Sequence, residues 1–316
     1  MDKIFLCETP DTVASVFDSK ERVFCKADIC KGGFEDTRYI FSTWGMPAFT
    51  EQEIRAYLPA LEAVFYGAGS VQEFARPFLN CGVKVFSAWA ANAVPVAEYT
   101  VAQIILANKG FFKTMAYTDR MAANKLTREH PGNYDVTVGI IGAGMIGKLV
   151  IQMLKAYQLD VVVFDPFLPD EKAKELGVKK VSLETLFAGC QVVSNHLANN
   201  EQTKHMLTGR LFETMRPYAT FLNTGRGAQV VEADLIRVLQ QRPDLTAVLD
   251  VTFPEPPIQG SPLYTLQNCI LTPHIAGSLG NEVRRMGKYM EAEFRAFTQG
   301  TPCRYEVTLE MLETMA

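Results

Sequence analysis

The chain reads Val138-Gly139-Ile140-Ile141-Gly142-Ala143-Gly144-Met145-Ile146-Gly147 near its middle, where a short apolar run leads into a glycine-rich turn. An apolar helical pattern follows, and a second apolar run, Val161-Val162-Val163-Phe164, ends directly before Asp165. The order of strand, glycine turn, helix, strand and acid is typical of a βαβ unit that binds a dinucleotide. We therefore predict a parallel sheet with a nucleotide site at this turn.

Each glycine of the turn has a physical task in that prediction. Gly142 permits the tight turn, Gly144 lets the backbone approach a pyrophosphate, and Gly147 allows the helix to pack closely on the strand. The helix begins near Met145 and Ile146, where free N–H groups and the positive end of the helix dipole favour a phosphate. Glycines also close ordinary turns, but the flanking strands and the following acid favour the nucleotide site.

Asp165 bears on the choice of cofactor. Its position after the second strand allows a carboxylate to accept hydrogen bonds from both hydroxyls of the adenine ribose. A 2′-phosphate would meet that negative charge, and the next residues, Pro166 and Phe167, supply no cation to compensate. The sequence therefore predicts NAD(H) in preference to NADP(H).

Composition places the chain among ordinary globular proteins. It has 316 residues, 48% of them apolar and 21% charged, a length that suits two domains. A formal net charge of −4 without a strongly basic run gives no general attraction to nucleic acid or to an anionic membrane. The apolar run after Met1 is too short for a signal peptide, and no uninterrupted apolar segment could cross a bilayer. We expect a cytoplasmic protein without nucleic-acid or membrane partners.

Seven cysteines are scattered along the chain without C-x-x-C spacing. This distribution indicates free thiols in a reducing compartment and makes a zinc site improbable. We predict no metal centre.

The first hundred residues alternate strand-like and helical patterns, which favours a parallel sheet covered by helices. Strand-like runs cover residues 4–7, 39–42, 63–65 and 83–86, and Thr50-x-x-Glu53 is a capping box. Two loops follow predicted strands, at residues 43–47 and 66–70. The small residues of the second loop would expose backbone N–H groups to an anion, or form a plain glycine turn.

The rest of the chain continues the same alternation. A helical pattern over residues 93–112 is apolar on more than one face, so it is either deeply buried or shared with a second subunit. We expect a homodimer through this helix. Residues 118–133 are polar and are predicted to connect into the nucleotide-binding domain. Further strands at 191–195, 219–223, 246–250 and 269–272 bring that sheet to about six parallel strands.

Polar residues follow three of these strands, at the edge where ligands bind in a doubly wound sheet. Arg226 lies in Asn223-Thr224-Gly225-Arg226-Gly227, Glu255 lies five residues after Asp250, and His274 lies in Thr272-Pro273-His274-Ile275-Ala276-Gly277. Hydride transfer from a 2-hydroxy acid needs a base for the hydroxyl proton, which suits histidine. It also needs a planar cation for the carboxylate, which suits arginine. A neighbouring carboxylate would orient the histidine ring.

With these motifs in order, the sequence resembles the D-isomer-specific 2-hydroxyacid dehydrogenase family over nearly the whole chain. The other anchor is Val96-Ala97-Glu98-Tyr99-Thr100. The resemblance implies two Rossmann-like, doubly wound α/β domains. Residues 1–98 with 299–316 would form a flavodoxin-like substrate domain, and residues 99–298 an NAD-binding Rossmann domain. The active site would lie in the cleft between them.

The resemblance also implies the roles of individual residues. His274 would be the acid/base, Glu255 its partner and Arg226 the substrate-binding residue, while Asp250 would bond the nicotinamide carboxamide. The backbone of Ala68 and Gly69 would bind the substrate carboxylate. The cofactor would be bound by Gly142, Gly144, Met145, Ile146, Gly147, Asp165, Leu197, Thr224, Gly225, Arg226, Asp250, His274 and Gly277.

Two departures from the family pattern bear on the substrate. The loop Gly67-Ala68-Gly69-Ser70-Val71 lacks the aspartate of the common Gly-x-Gly-Val-Asp form, and His196-Leu197-Ala198-Asn199-Asn200 replaces a more apolar, proline-containing stretch. Neither loop at 43–47 or 66–70 holds a lysine or arginine, which disfavours 3-phosphoglycerate and favours a small acid such as glyoxylate or hydroxypyruvate.

A different class of function is also open. Corepressors of this fold bind NAD(H) and act through partners, so an NAD(H)-sensing binding protein is the alternative to an enzyme. The presence of Arg226, Glu255 and His274 together favours the enzyme. Formate oxidation is disfavoured because formate dehydrogenases of this fold have glutamine where Glu255 stands.

Overall fold

The computed structural model describes residues 2–115 and 117–313. They form two compact units. One unit contains the chain up to Asn92 and the chain from Ser278 onward, and the other is Ala93–Gly277. These divisions fall before the predicted boundaries at 98/99 and 298/299, so the last long helix belongs to the first unit.

The first unit is built on a parallel sheet, and the sequence pattern located most of its strands. Its strands are β1 (Lys3–Leu6), β2 (Val23–Phe24), β3 (Tyr39–Ser42), β4 (Ala63–Tyr66) and β5 (Lys84–Ser87). Its helices are α1 (Pro10–Phe17), α2 (Lys26–Ile29), α3 (Glu51–Tyr57) and α4 (Ala75–Asn80). The strand order β2-β1-β3-β4-β5 is that of a flavodoxin-like sheet. The predicted capping box opens α3, where Glu53 N–H donates to Thr50 Oγ1 at 3.2 Å.

Helices cover both faces of this sheet, so its strands are apolar on both sides. One face carries aliphatic residues such as Ile4, Ile40 and Val64. The other carries a row of phenylalanines in register on neighbouring strands, Phe41, Phe65 and Phe86. Their ring centroids are 5.2 Å and 4.9 Å apart along the row. The row joins the three central strands through aromatic stacking.

The second unit contains the predicted nucleotide-binding pattern. Helix α5 (Trp89–Asn108) begins in the first unit and continues into the second, where α6 (Phe111–Thr114) and α7 (Arg120–Thr127) follow. The sheet follows, with helices α8 (Met145–Leu154), α9 (Asp170–Leu176), α10 (Leu183–Gly189), α11 (Gly209–Glu213) and α12 (Glu232–Gln241). Its strands are β6 (Tyr134–Ile141), β7 (Gln158–Phe164), β8 (Lys179–Lys180), β9 (Val192–Asn195), β10 (Thr220–Asn223), β11 (Thr246–Leu249) and β12 (Cys269–Leu271).

The order of this second sheet is β8-β7-β6-β9-β10-β11-β12, all parallel. It contains the 3-2-1-4-5-6 arrangement of a Rossmann fold, whose topological switch point lies between β6 and β9. The predicted pair of doubly wound α/β domains is therefore confirmed. The prediction of about six strands missed the two-residue β8, and the predicted connection at 118–133 contains α7, where Asp119 caps the first turn.

Helix α5 begins four residues before the predicted start at Ala93 and ends at Asn108. Among the described residues it alone is long and apolar enough, by length and composition, to cross a membrane, with a window mean hydropathy of 1.2. Buried core helices of soluble proteins pass the same test, and 56% of that window is buried. The charged residue Glu98 interrupts the apolar sequence of α5. Ala97, Val101 and Ile104 of the same helix pack into the core beside β6. The packing supports a core helix.

The chain returns to the first unit through α13 (Val283–Thr298) and β13 (Glu306–Val307), which pairs antiparallel with β5. Helix α13 packs on the phenylalanine face through Met286 and Met290. Gly287 lies where the helix crosses the end of α1, and a Cβ atom there would be 2.0 Å from the carbonyl oxygen of Val16. This close approach requires glycine.

We expect Gly287→Ala to destabilise the first unit by about 1–3 kcal/mol, because the added methyl group meets rigid backbone. Gly189→Ala is the matched control, since a Cβ atom there has no neighbour within 4 Å. Urea unfolding of both variants checks this. Equal stability of the two would contradict the close approach.

Candidate active site

The glycine turn after β6 gives each of its glycines a separate role. Gly142 has a φ of +86°, and a Cβ atom there would lie 2.7 Å from the carbonyl oxygen of His196. A Cβ atom on Gly147 would lie 2.0 Å from the carbonyl oxygen of Gly142. In contrast, a Cβ atom on Gly144 would meet nothing within 4 Å. The first and third glycines are required by the fold, while the second leaves open space beside the turn.

The open space lies at the N-terminus of α8. The first backbone hydrogen bond of the helix runs from Lys148 N–H to the carbonyl oxygen of Gly144 at 3.1 Å. Within the described chain, the N–H groups of Met145 and Ile146 have no acceptor, and the Met145 side chain is exposed. Free donors, the helix dipole and a glycine without a side chain fit the pyrophosphate of a dinucleotide.

Asp165, directly after β7, also holds the turn in place. One carboxylate oxygen accepts a hydrogen bond from Ala143 N–H at 2.7 Å. The other accepts from Phe167 N–H at 2.8 Å and Leu168 N–H at 3.1 Å. The acid is therefore fixed at the strand end, beside the glycine turn that it helps to shape.

Arg226 follows β10 on a loop that approaches the loop after β11 very closely. A Cβ atom on Gly227 would lie 2.0 Å from the carbonyl carbon of Thr252, so only glycine fits. Arg226 Nη1 donates to the carbonyl oxygen of Gly225 at 2.8 Å. Burial lowers the pKa of the Arg226 guanidinium, while the nearby Glu255 carboxylate opposes that shift. The side chain remains a cation, with donors left for an anionic ligand.

His274 and Glu255 form a direct pair, with 2.6 Å between His274 Nδ1 and Glu255 Oε1. Both side chains are partly exposed. His274 has a φ of 55°, in the left-handed region, and its N–H donates to the carbonyl oxygen of Asp250 at 3.0 Å. The sequence-predicted histidine, its partner and the arginine thus lie on neighbouring loops at one sheet edge.

The buried carboxylate of Asp250 holds the loop that carries His274. Asp250 is 2% exposed and accepts hydrogen bonds from Thr272 Oγ1 at 2.6 Å, Ile275 N–H at 2.8 Å and Ala276 N–H at 2.9 Å. Three donors compensate the buried charge. The loop continues to Gly277, where the second unit ends. The carboxamide contact that the resemblance implied for Asp250 would use the lone pairs that remain.

Thr224 and His196 lie deeper, in a buried polar chain. Thr224 Oγ1 is 3.1 Å from Thr100 Oγ1 and 3.5 Å from His196 Nδ1, and His196 Nε2 is 2.9 Å from Ser194 Oγ. Burial lowers the pKa of His196 to about 3. The ring is therefore neutral near pH 7, and its backbone lies against Gly142.

Ala68 and Gly69 belong to the first unit, directly after β4. Ser87 Oγ donates to both of their carbonyl oxygens, at 3.0 Å and 2.6 Å, and Ala88 N–H donates to Ala68 O at 3.0 Å. Their own N–H groups have no acceptor within residues 2–115 and 117–313. Gly69 is partly exposed, so its N–H can reach an anion, whereas Ala68 is 0% exposed.

Within that described part of the chain, no three histidine, cysteine, aspartate or glutamate side chains are grouped to hold a metal ion. His205 is exposed at a φ of 55°, and His130 bonds the carbonyl oxygen of Leu126. Neither histidine joins the residues above.

Comparison with known proteins identifies the relatives of this chain. Residues 101–276, more than half of the chain, match the family model described as D-isomer specific 2-hydroxyacid dehydrogenase, NAD binding domain. The chain belongs to this family. The predicted resemblance is confirmed, and NAD is the cofactor of the matched domain.

Curated relatives of this chain carry different names. This chain is 30% identical over 236 residues to D-3-phosphoglycerate dehydrogenase of Archaeoglobus fulgidus. The matched stretch covers 73% of this chain and 44% of that protein. It is also 31% identical over 232 residues to (S)-sulfolactate dehydrogenase of Chromohalobacter salexigens. That match covers 72% of this chain and 74% of the relative. The chain thus spans less than half the length of the first relative.

Solved structures support the fold. The D-isomer specific 2-hydroxyacid dehydrogenase of Lactobacillus delbrueckii, in its NAD-complexed form, has a TM-score of 0.78 at 20% identity, covering 98% of this chain and all of that one. The apo D-mandelate dehydrogenase of Rhodotorula graminis has a TM-score of 0.79 at 20% identity and 97% coverage of each chain. At this identity the similarity supports the architecture only.

The sequence motifs did not reveal two buried amides beside the site, Asn195 and Gln229, each 0% exposed. Asn195 ends β9, directly after Val192-Val193-Ser194, and Gln229 lies three residues after Arg226. An amide at the end of a predicted strand was the available signal. Their hydrogen bonds reach the loops on both sides of the site.

The glycine turn leads to a paired prediction. We expect Gly144→Ala to fold normally but to weaken NADH binding severely, because the new methyl group projects into the space beside the helix N-terminus. Gly147→Ala should instead lower the unfolding free energy, because its methyl group meets backbone at 2.0 Å. NADH fluorescence titration and thermal unfolding of both variants separate these effects. NADH binding by Gly144→Ala at wild-type affinity would contradict the assignment.

Proposed function

We propose that this protein is an NAD(H)-dependent oxidoreductase that interconverts a small D-2-hydroxy acid and its 2-oxo acid, with His274 as the acid/base. The contact of 2.6 Å between His274 and Glu255, on a loop held by Asp250, carries the proposal. Arg226, Glu255 and His274 lie on adjacent loops, and the paired His274 and Glu255 side chains are partly exposed. A positioned histidine, carboxylate and arginine suit proton transfer on a carboxylate substrate.

The Glu255 contact determines which ring nitrogen acts. Because a carboxylate only accepts hydrogen bonds, His274 Nδ1 carries a proton, and Nε2 is the nitrogen left for the substrate. In the oxidation direction Nε2 takes the hydroxyl proton, and the resulting imidazolium is stabilised by Glu255. In the reduction direction the same Nε2–H returns that proton to the carbonyl oxygen. NAD, when bound, supplies or accepts the hydride.

Arg226 would bind the substrate carboxylate and hold the reacting carbon in place. Partial burial strengthens its charge-assisted hydrogen bonds, because water competes less for the guanidinium. His274 and Arg226 thus divide the work into proton transfer and substrate orientation.

The substrate class follows from the loops of the first unit. Neither residues 43–47 nor 66–70 contain a lysine or arginine, although Trp44 is 41% exposed and Tyr66 is buried. We infer a small acid without a phosphate group, such as glyoxylate or hydroxypyruvate. Asp165 favours NAD(H) over NADP(H), because a 2′-phosphate would meet its carboxylate. The free cysteines suit a cytoplasmic location.

The first experiment follows NADH consumption with glyoxylate, hydroxypyruvate, pyruvate, phenylpyruvate and phosphohydroxypyruvate. We expect turnover with a small oxo acid. His274→Asn should lower kcat by at least about 100-fold, because general acid–base catalysis contributes that much, while NADH still binds. Asparagine is chosen because it tolerates the left-handed backbone at this position.

Two further variants separate the roles. Arg226→Lys should mainly raise KM, because lysine keeps the charge but loses the planar fork. Glu255→Gln should lower kcat and alter the pH profile, because the imidazolium loses its charged partner. Retained turnover in His274→Asn would refute the acid/base assignment. If the wild type binds NADH but turns over none of these 2-oxo acids, the result would favour the NAD(H)-sensing binding protein.

We also propose a homodimer, as expected for the predicted helix 93–112, through α6, α7 and the start of β6. Exposed apolar side chains are concentrated there, with Phe111 43%, Met121 83% and Tyr134 64% exposed. Helices α6 and α7, which carry the first two, contact each other. Burial against a second copy would remove this apolar surface from water.

Light scattering of the wild type should give the mass of a dimer. We expect Phe111→Glu with Met121→Glu to produce a monomer, because two carboxylates cannot be buried unpaired in an interface. Ile258→Glu is the control. Ile258 is 64% exposed on the loop after β11, at the carboxyl edge of the sheet, whereas Lys113 of α6 donates to the carbonyl oxygens of Pro243 and Leu245 before β11. A monomeric wild type would remove the proposal.

A further inference from the structure

Three side-chain amides lie buried at the carboxyl edge of the second sheet. Asn195 ends β9, Asn223 ends β10, and Gln229 follows Arg226 in a short 3₁₀ turn. None of the three is more than 1% exposed. Buried amides are costly unless their donors and acceptors are satisfied, so their partners show what they hold in place.

Gln229 reaches two separate loops. Its Nε2 donates to the carbonyl oxygens of Leu197 and Ala198, at 2.8 Å and 2.9 Å. Its Oε1 accepts from Arg226 N–H at 3.3 Å and from Asn195 Nδ2 at 2.5 Å. One side chain therefore binds the loop after β9 and the backbone of the proposed substrate-binding arginine.

The two asparagines complete the network. Asn195 Nδ2 also donates to Asn223 Oδ1 at 3.0 Å, and Asn195 Oδ1 accepts from Leu197 N–H at 3.2 Å. Asn223 Oδ1 accepts from Gly225 N–H at 3.1 Å, and its Nδ2 donates to the carbonyl oxygen of Arg226 at 3.2 Å. Every amide group of the three has a partner, and most of those partners are loop backbone.

The backbone partners also determine which way Gln229 points. Two carbonyl oxygens require donors, and Arg226 N–H requires an acceptor, so the reversed amide would face like groups on both sides. The side chain thus has one satisfied orientation.

The loop that Gln229 holds touches the nucleotide turn. A Cβ atom on Gly142 would be 2.7 Å from His196 O and 3.1 Å from Leu197 N, so this backbone lies directly against the turn. On its other side Gln229 holds Arg226. The network therefore joins the wall of the cofactor site to the residue expected to bind the substrate.

We propose that Gln229, supported by Asn195 and Asn223, is a positioning residue that holds the cofactor-side loop and Arg226 in register. The expected effect of Gln229 on substrate binding rests on the proposed function. Its expected effect on NADH binding requires only that the second unit is an NAD-binding domain. Loss of the amide would loosen both loops without removing any group that touches the ligands.

Gln229→Glu is the sharpest test, because it keeps the side-chain shape. It replaces Nε2, which donates to Leu197 O and Ala198 O, with an oxygen that faces the same two carbonyl oxygens. We expect the Kd for NADH to rise about tenfold, from the usual cost of an unsatisfied buried group. We also expect the KM for the oxo acid at saturating NADH to rise about as much. Amide hydrogen exchange of residues 196–200 and 224–228 in the cofactor-free protein should accelerate.

Gln191→Glu is the matched control. Gln191 is also buried and donates to a loop carbonyl, that of Pro217, but it precedes β9 at the opposite edge of the sheet. It should lower thermal stability without changing the Kd for NADH. If Gln229→Glu binds NADH with wild-type affinity and shows wild-type exchange, the proposal is overturned.

A second variant covers the case in which Gln229→Glu does not fold. Asn195→Leu with Gln229→Leu replaces two mutually bonded amides with apolar groups, which keeps the core filled. Weakened NADH binding in the folded double variant supports the proposal, and wild-type affinity overturns it. A shift in the Kd for NADH supports the positioning role even if the wild type turns over no acid. If a Gln229 variant turns over the oxo acid at the wild-type rate and its Kd for NADH is unchanged, only this inference is refuted, and the proposed function stands.

Discussion

The proposed chemistry depends on the buried carboxylate of Asp250. Its hydrogen bonds to Thr272, Ile275 and Ala276 shape the loop on which His274 stands, and its own carbonyl oxygen holds the His274 backbone. The imidazole can meet Glu255 only because that loop is held in place. A buried charge surrounded by backbone donors is rigid, since any movement leaves it unsatisfied. The position of the histidine therefore follows from an acid that precedes it by a whole strand.

The same solution recurs across the sheet edge. Asp165 gathers the N–H groups of Ala143, Phe167 and Leu168, and the three buried amides gather the loops after β9 and β10. After β7, β9, β10 and β11 a polar side chain bonds loop backbone that regular structure leaves without a partner. Loops at the carboxyl edge are exposed to ligands yet must hold still, and these contacts meet both requirements.

Much of this arrangement could be predicted from sequence, because it depends on local patterns. Apolar runs located the long strands, and the spacing of Gly142, Gly144 and Gly147 to Asp165 predicted the nucleotide-binding unit. Two-residue strands such as β8 lack a pattern long enough to detect. Gln229 could not be recognised either, because its partners Asn195 and Leu197 lie more than 30 residues away. The unit boundary at Gly277 depends on where α13 packs, and local sequence does not contain that information.

His196 has a consequence beyond the site. Its ring is neutral inside the second unit, with a pKa lowered from 6.5 to about 3 by burial. In the unfolded chain His196 therefore becomes protonated below about pH 6.5, whereas in the folded unit it stays neutral down to about pH 3. As the pH falls through that window the folded unit progressively loses stability, and above the window His196 does not make stability depend on pH. The acid tolerance of the nucleotide-binding unit thus depends on a side chain that takes no part in the proposed reaction.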